Sequence, residues 1–220
     1  MKNQQRAYQE KDYNFQEVTK ALGLDYDQLK KSGEIDRVLR SGVGSALTVR
    51  VQGKDEVNGR KLTFETTARM SLGIDKDGRR VIQPILKSAD LQLDTYRNIR
   101  LTQDQQKQLR EGKTVILKEP NTEREILAKV DKSLNKIAGW KKSSVLIPQE
   151  LGNQKIGTAK LEPAQQAALK RGETISLEIN GQQLKAQVDP VERQIRVTKP
   201  LEQKIEKSLE VQPKQPKLKL

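Results

Sequence analysis

The chain contains one stretch of sequence twice, and this repeat constrains the fold more than any other feature. Residues 101–117 read LTQDQQKQLREGKTVIL, and residues 161–177 read LEPAQQAALKRGETISL, sixty positions later. A unit of about 40 residues buries too little apolar surface to fold well alone, whereas neighbouring units can share a core. The repeat therefore predicts modules that pack against one another and extend a common surface.

Each copy predicts a short helix followed by a β-hairpin. In the first copy Thr102 is placed to cap the helix and Gly112 to end it, and the strand-like runs TVILKE and EILAKV follow. In the second copy Gly172 ends the helix, and Asn180-Gly181 predicts a tight hairpin turn. We expect both helix-ending glycines to have a left-handed or similarly permissive backbone conformation.

A Val-Asp pair ends each hairpin and locates an insertion. Gly112 precedes Asp131 by 19 residues, whereas Gly172 precedes Asp189 by 17. Loops tolerate insertions best, so we place the two additional residues of the first copy in its hairpin loop. Because the two aspartates recur at the same place, we interpret them as turn-forming acids rather than catalytic carboxylates.

The first hundred residues predict short helices followed by antiparallel strands. Helical spacing over 14–40 is interrupted at Gly23 and Gly33. From residue 46 the apolar period changes to two, with ALTVRV and KLTFET around a turn at Asn58-Gly59, and ARMSLGI and RRVIQPI around DKDG. These runs predict a β-meander joined to the helices.

The predicted fold class is α+β: a helical head with an antiparallel β-meander, followed by two tandem helix-plus-β-hairpin repeat modules. Leu39-Arg40-Ser41-Gly42 precedes two strands as the module helices do, which leaves open a third copy within the head. The predicted parts are a flexible N-terminus (1–13), the head domain (14–100), the first module with its connector (101–158), the second module (159–200), and a terminal helix with a basic tail (201–220).

Composition removes most enzyme classes. The chain has neither histidine nor cysteine, so it lacks Ser-His and Cys-His nucleophile pairs and the usual zinc sites. We therefore expect a non-enzymatic protein with no cofactor and no metal site. The lack of cysteine suits a reducing cytosol, and neither a signal-peptide pattern nor an apolar run of about 18 residues occurs. A cytoplasmic protein with no membrane partner is expected.

Two short motifs resemble parts of known ligand-binding loops. SGVGS at 41–45 contains Gly-x-Gly but lacks the spacing to Gly-Lys-Ser/Thr that a phosphate-binding loop needs, so it predicts a helix-to-strand turn. DKDG at 75–78 begins like a calcium loop, yet Leu86 stands where a bidentate Glu is required. It predicts a hairpin turn.

Charge favours a polyanionic partner. Lys and Arg number 42 against 29 Asp and Glu, which leaves a formal net charge of +13. Trp140, Lys141 and Lys142 form the most specific candidate, because a base-stacking ring beside phosphate-binding ammonium groups is typical of sequence-tolerant nucleic-acid contacts. The alternative for Trp140 is an anchor that docks one module on the next.

A second basic group lies near the hairpins of the head. Its members are Arg60, Lys61, Arg79 and Arg80. They are candidates for phosphate contacts, or else solvated strand edges on which Lys and Arg discourage aggregation.

The pattern L-x-x-x-Q-Q-x-x-L-[RK]-x-G-x-T-[VI]-x-L, with the link WKKSSVLIPQELGNQKIG, resembles a family of uncharacterised repeat domains. The head, with NFQEVTKALGLDYDQLKKSGEIDRVLRSG, resembles another uncharacterised domain that commonly precedes them. Such proteins are carried by conjugative and mobilisable elements of gut anaerobes. The resemblance implies a role in DNA mobility or element maintenance by association only.

We therefore expect an accessory protein of a mobile element that binds DNA or RNA mainly through phosphates. The alternative is a protein-interaction scaffold or inhibitor that acts on another protein of the element, a host defence system or a competitor.

Overall fold

The computed structural model describes residues 8–54, 59–153 and 156–199, and it has the α+β composition that the sequence predicts. These ranges contain five α-helices and antiparallel sheets. None of the helices in them has the length and apolar character to cross a lipid bilayer. The predicted terminal helix and basic tail, 201–220, lie outside the described residues.

Three short helices open the head. They are α1 (Phe15–Ala21), α2 (Tyr26–Lys31) and α3 (Glu34–Ser41). The Asp25 carboxylate caps α2 by accepting a hydrogen bond from the Gln28 backbone N–H. Gly23 and Gly33 have φ of 66° and 79°, which confirms both predicted breaks.

A three-stranded antiparallel sheet follows the helices, in the order β1-β2-β3. Its strands are β1 (Leu47–Lys54), β2 (Lys61–Ile74) and β3 (Arg80–Leu86). KLTFET and ARMSLGI, which the sequence patterns predict as two strands, are one 14-residue strand, because no turn-forming residue separates them. The helices cover this sheet through a core that includes Phe15, Val38 and Met70.

Residues 8–13, which the sequence places in a flexible N-terminus, contact the head. Tyr13 packs against the head core with its ring centroid 6.1 Å from that of Phe15. Arg80 of β3 donates to the Asp12 carboxylate at 3.1 Å. An aromatic contact and an ion pair therefore hold this segment on the head.

The middle of the chain forms a second α+β unit. Its elements are a short hairpin of β4 (Thr95–Tyr96) and β5 (Ile99–Arg100), helix α4 (Gln103–Arg110), and a sheet of β6 (Val115–Lys118), β7 (Glu125–Asp131) and β8 (Lys136–Lys141). Thr102 caps α4 as predicted, and the Gln105 side chain accepts a hydrogen bond from the Thr102 backbone N–H. Leu109 of α4 is fully buried against this sheet.

The last unit has the same order of elements. They are a hairpin of β9 (Glu150–Asn153) and β10 (Gly157–Lys160), helix α5 (Pro163–Lys170), and a sheet of β11 (Ile175–Ile179), β12 (Gln182–Asp189) and β13 (Gln194–Thr198). Asn180 and Gly181 both have positive φ, which confirms the predicted tight turn. Leu169 of α5 is fully buried, like Leu109 of α4.

The structure therefore adds strands to the predicted helix-plus-hairpin plan. A third strand, β8 or β13, follows each predicted hairpin, and a short hairpin precedes each helix. Val115 pairs with Ala128 and Ile175 with Ala186, so the two additional residues of the first unit lie within its hairpin, as predicted. In the head, α3 is likewise followed by a sheet of three strands in sequence order.

The helix-ending glycines have the predicted backbone. Gly112 and Gly172 have φ of 75° and 81°, and Gly42, which ends α3, has φ of 77°. A side chain in this region of φ is strained, so glycine lets the chain leave each helix and enter the sheet directly.

A buried ion-pair network joins the three units. The Arg69 guanidinium, on β2, donates to Asp131 at 2.7 Å, to Glu192 at 2.8 Å and to the Gly44 carbonyl at 2.8 Å. Glu192 also accepts from Arg37 of α3. Burial alone would lower the pKa of Arg69, but the bonds to Asp131 and Glu192 raise it above its ordinary value. A single side chain thus ties the head to both later units.

Apolar contacts complete the junction. Leu127 of β7 belongs to the core of the last unit rather than to that of its own sheet. A Cβ atom on Gly172 would lie 3.1 Å from Thr114 and 3.2 Å from Leu127, so the second and last units meet closely there. The Ser88 backbone N–H donates to the Leu134 carbonyl at 2.8 Å between the head and the second unit. Each unit therefore contacts both others.

Candidate nucleic-acid interface

A cleft of about 540 Å³ lies where the three units meet. It receives Arg40 from α3, Arg97 from the turn between β4 and β5, Lys141 from the end of β8 and Arg193 from the turn before β13. Trp140 also borders it, and none of the described residues that line it is acidic. We call this site, defined by these five side chains, the arginine cleft.

A tight turn presents Arg97. Arg97 and Asn98 have φ of 48° and 67°, the two positive values that a type I′ hairpin turn requires. Arginine is uncommon at such a position. Its guanidinium lies 5.3 Å from the centroid of the Tyr96 ring, and this cation–π contact helps to offset the backbone strain. The turn thereby holds a cation at the edge of the cleft.

Arg193 is the half-buried cation of the site. Its Nη1 lies 3.5 Å from the Ser41 carbonyl, and it occupies the space that a side chain at Gly42 would take. Burial lowers the pKa of Arg193, and the nearby charge of Arg97 lowers it further. Among the described residues no carboxylate forms a salt bridge with Arg193 or Arg97. Two guanidinium groups therefore face one cleft without a counter-charge, an arrangement that an anion would stabilise.

Trp140 and Lys141 of the predicted cluster belong to the cleft, whereas Lys142 points elsewhere. Trp140 is half-buried, stands opposite Leu127 in the sheet and packs against the core of the last unit. Lys141 is exposed at the cleft. The Lys142 ammonium forms an ion pair with Glu125, and its hydrogen bond lowers the pKa of that carboxyl group. The ring thus has the position of a docking anchor while it also borders the cleft.

The second predicted basic group is divided by the structure. Arg60 and Lys61 lie at the start of β2, and Arg79 and Arg80 lie beyond its end, at a separation of roughly 40 Å along the strand. The Arg79 guanidinium is occupied by Asp75 and by a second acid in the same turn. These four residues do not form one surface with each other, although the Arg80 guanidinium lies 5.8 Å from the ring centroid of Tyr8, which borders the cleft.

The motifs that imitate ligand sites have structural roles. In SGVGS, the Glu34 carboxylate accepts from the Ser45 backbone and hydroxyl, so an acid occupies the place of a phosphate. In DKDG, Asp75 accepts from two backbone N–H groups of its turn, which also lower the pKa of its carboxyl group, and the predicted hairpin turn is confirmed.

Asp131 and Asp189 are turn-forming acids, as predicted. Each carboxylate accepts from the backbone N–H two residues further on, at 3.0 Å in both turns. Each also pairs with an arginine, Asp131 with Arg69 and Asp189 with Arg196. In the described ranges, no group of three acidic side chains is placed to hold a metal ion.

Arg40, Arg97 and Arg193 are candidate residues that the sequence patterns do not reveal. They come from three separate parts of the chain, and no motif connects them. The dipeptide Arg97-Asn98 is a weak signal, because Asn favours the second central position of a type I′ turn. The convergence of the three side chains becomes visible only when the units are assembled.

Comparison with known proteins bears on one part of the chain. A family model described as "Protein of unknown function (DUF3945)" matches residues 96–124, a stretch that includes Arg97, α4 and β6. No curated protein and no solved structure matches the chain. The family match supports an uncharacterised domain in this stretch.

Proposed function

We propose that this protein is a non-enzymatic accessory protein of a mobile genetic element, and that it binds nucleic acid mainly through phosphate contacts. The observation that carries the proposal is the arginine cleft, in which Arg40, Arg97, Arg193 and Lys141 converge without an acidic lining residue. Guanidinium groups bind phosphates through paired hydrogen bonds, and unpaired cations in a partly desolvated recess are available for them. The net charge of +13 adds long-range attraction.

We interpret the fold as a binding surface built from tandem modules. In this interpretation, residues 101–158 and 159–200 are two copies of one module, and the head packs against both. The shared element order and the matching glycines Gly112 and Gly172 support it. The setting in a conjugative or mobilisable element rests on the resemblance of the repeats alone.

Salt-dependent binding tests the proposal. Fluorescence anisotropy would measure the affinity of the full chain for single-stranded DNA, duplex DNA and RNA over a range of salt concentrations. Each neutralised phosphate contributes roughly 0.7 to 0.9 to the log-log slope. We expect Arg40→Gln with Lys141→Gln to reduce that slope by about one to two. Arg110→Gln with Lys185→Gln removes the same charge at exposed positions outside the cleft and serves as the control. Absence of binding to every nucleic acid at low ionic strength would refute the proposal.

A protein-interaction scaffold is the second candidate, and exposed apolar side chains favour it. Leu62 and Phe64 on β2 are each 50% exposed. Residues 61–66 of β2 pair with β1 but not with β3, so one edge of this ribbon is open within the described sheet. Open edges and apolar side chains are typical of surfaces that dock another protein. If nucleic acid does not bind, this surface becomes the leading candidate.

A further inference from the structure

The depth of the arginine cleft distinguishes between two kinds of nucleic acid. Arg40, Arg97 and Lys141 are exposed, whereas Arg193 is half-buried. A duplex carries its phosphates on the outside of a stiff helix, so its phosphates can contact the exposed cations. It would have to deform before one of its phosphates could contact Arg193. An unpaired strand is flexible enough to insert a phosphate together with its base.

The size and rigidity of the cleft fit one nucleotide unit. Its volume of about 540 Å³ falls within the roughly 300 to 1,000 Å³ that small-ligand sites occupy. Trp140 is held by the core of the last unit, so its ring does not need to be ordered on binding. Aromatic rings beside cations bind unpaired bases by stacking, with little dependence on sequence.

Arg97 and Arg193 together favour a phosphate at the position between them. Arg97 and Arg193 face the cleft from different units, and the described carboxylate nearest in sequence to Arg193, Glu192, is occupied by Arg69 and Arg37. A phosphate between the two guanidinium groups would supply the missing negative charge and accept paired hydrogen bonds from each.

We infer that the arginine cleft selects single-stranded over duplex nucleic acid, with one phosphate held between Arg97 and Arg193 and the adjoining base stacked against Trp140. This inference rests on the proposed function and specifies its ligand. It assigns selectivity to the phosphate position between Arg97 and Arg193, and general affinity to the exposed cations Arg40 and Lys141.

The experiment uses the full chain and three ligands of equal length. They are a thymidine oligonucleotide of about 12 nucleotides, the same oligonucleotide with abasic sites, and a duplex. Trp140 is the only tryptophan, so its fluorescence reports events at the cleft, while anisotropy of labelled ligand reports binding anywhere. The abasic ligand tests stacking without removing a ring that is needed for packing.

Two variants test the phosphate position. Arg193→Gln and Arg97→Asn each remove one guanidinium, and Asn suits the positive φ at position 97. Arg110→Gln is the charge-matched control. We expect each cleft variant to weaken single-strand binding about ten- to a hundredfold and duplex binding by less than about threefold. The abasic ligand should bind about five- to a hundredfold more weakly than the thymidine oligonucleotide.

The ways in which the inference can fail are separable. If the duplex binds as tightly as the single strand and the cleft variants behave like Arg110→Gln, the selectivity is refuted while the proposed function stands. Equal affinity for abasic and thymidine ligands, with no change in Trp140 fluorescence, would refute the stacked base. If no ligand binds at low salt, both the inference and the proposed function fail. Because Arg97 lies at an exposed turn, Arg97→Asn tests the phosphate position even if Arg193→Gln does not fold.

Discussion

Replacement of Arg69 by methionine is expected to cost about 3 to 5 kcal/mol of unfolding free energy. The side chains of Arg69 and Asp131 are 5% and 4% exposed, so the substitution strands a carboxylate in a site that water does not reach. Glu192 loses one of its two cations at the same time. For a domain whose total stability is typically about 5 to 15 kcal/mol, this loss is a large fraction.

Urea denaturation measures the effect. With a slope of roughly 2 to 3 kcal/mol per molar urea, the midpoint of Arg69→Met should fall by about 1 to 2.5 M. Circular dichroism and Trp140 fluorescence should report the same midpoint, because the free energy of unfolding is defined only for a single cooperative transition.

The chain offers a matched control. Arg196 pairs at 2.7 Å with Asp189, which ends β12 as Asp131 ends β7, but Arg196 is 55% exposed. Asp189 is itself only 6% exposed, but water can take the place of the largely exposed Arg196 beside it, so Arg196→Met should cost clearly less than Arg69→Met. The double variant Arg69→Met with Asp131→Asn should recover part of the loss, because it no longer leaves a buried charge. If Arg69→Met costs no more than Arg196→Met, the network does not hold the units together.

Three further predictions concern the junction and the cleft. Gly172→Ala should lower thermal stability clearly more than Gly112→Ala, because both glycines have positive φ but a Cβ atom at position 172 also meets Thr114 and Leu127; equal losses would contradict the close contact. Trp140→Ala should reduce the unfolding free energy by roughly 3 kcal/mol in urea denaturation, since the ring packs on the last core, and a loss below about 1 kcal/mol would show that the ring is not an anchor. Burial raises the pKa of Tyr96 above 10.0 and outweighs the opposing charges of Arg97 and Arg193. The contribution of Tyr96 to the free energy of unfolding is therefore fully present below pH 10.0 and is lost as the pH rises through the raised pKa. Tyr96→Phe should flatten this alkaline decline in urea midpoints, and an unchanged decline would assign it to another group.

Local features of the fold were predictable because local chemistry determines them. Gly112, Gly172 and the Asn180-Gly181 turn need positive φ, and few residues other than glycine and asparagine adopt it readily. The insertion in the first hairpin followed from counting residues between two fixed points.

The sequence patterns did not predict the third strand of each sheet, because the turn before that strand contains residues that are uncommon in hairpin turns. β8 and β13 follow turns in which Asn135 and Arg193 have φ of 50° and 49°. Neither turn contains the Asn-Gly or Asp-Gly pair by which a hairpin is usually recognised. Packing on the core of the unit compensates for a turn that the sequence alone would not favour.

The candidate site was only partly predictable, for a related reason. Trp140 and Lys141 are adjacent in sequence, so composition pointed to them. The three arginines converge only after assembly, and a single sequence carries no record of contacts between such distant positions. Arg60, Lys61, Arg79 and Arg80 are all near hairpins in the sequence, but the length of β2 separates the first two from the last two, which the sequence patterns did not indicate.

The Arg69–Glu192 pair also affects when the head can be completed during synthesis of the chain. The two residues are 123 positions apart in the chain. A ribosome that adds about 5 to 20 residues per second needs roughly 6 to 25 seconds to supply Glu192 after Arg69. We therefore expect the head to lack this ion pair until the turn between β12 and β13, the last in the described part of the chain, has been synthesised.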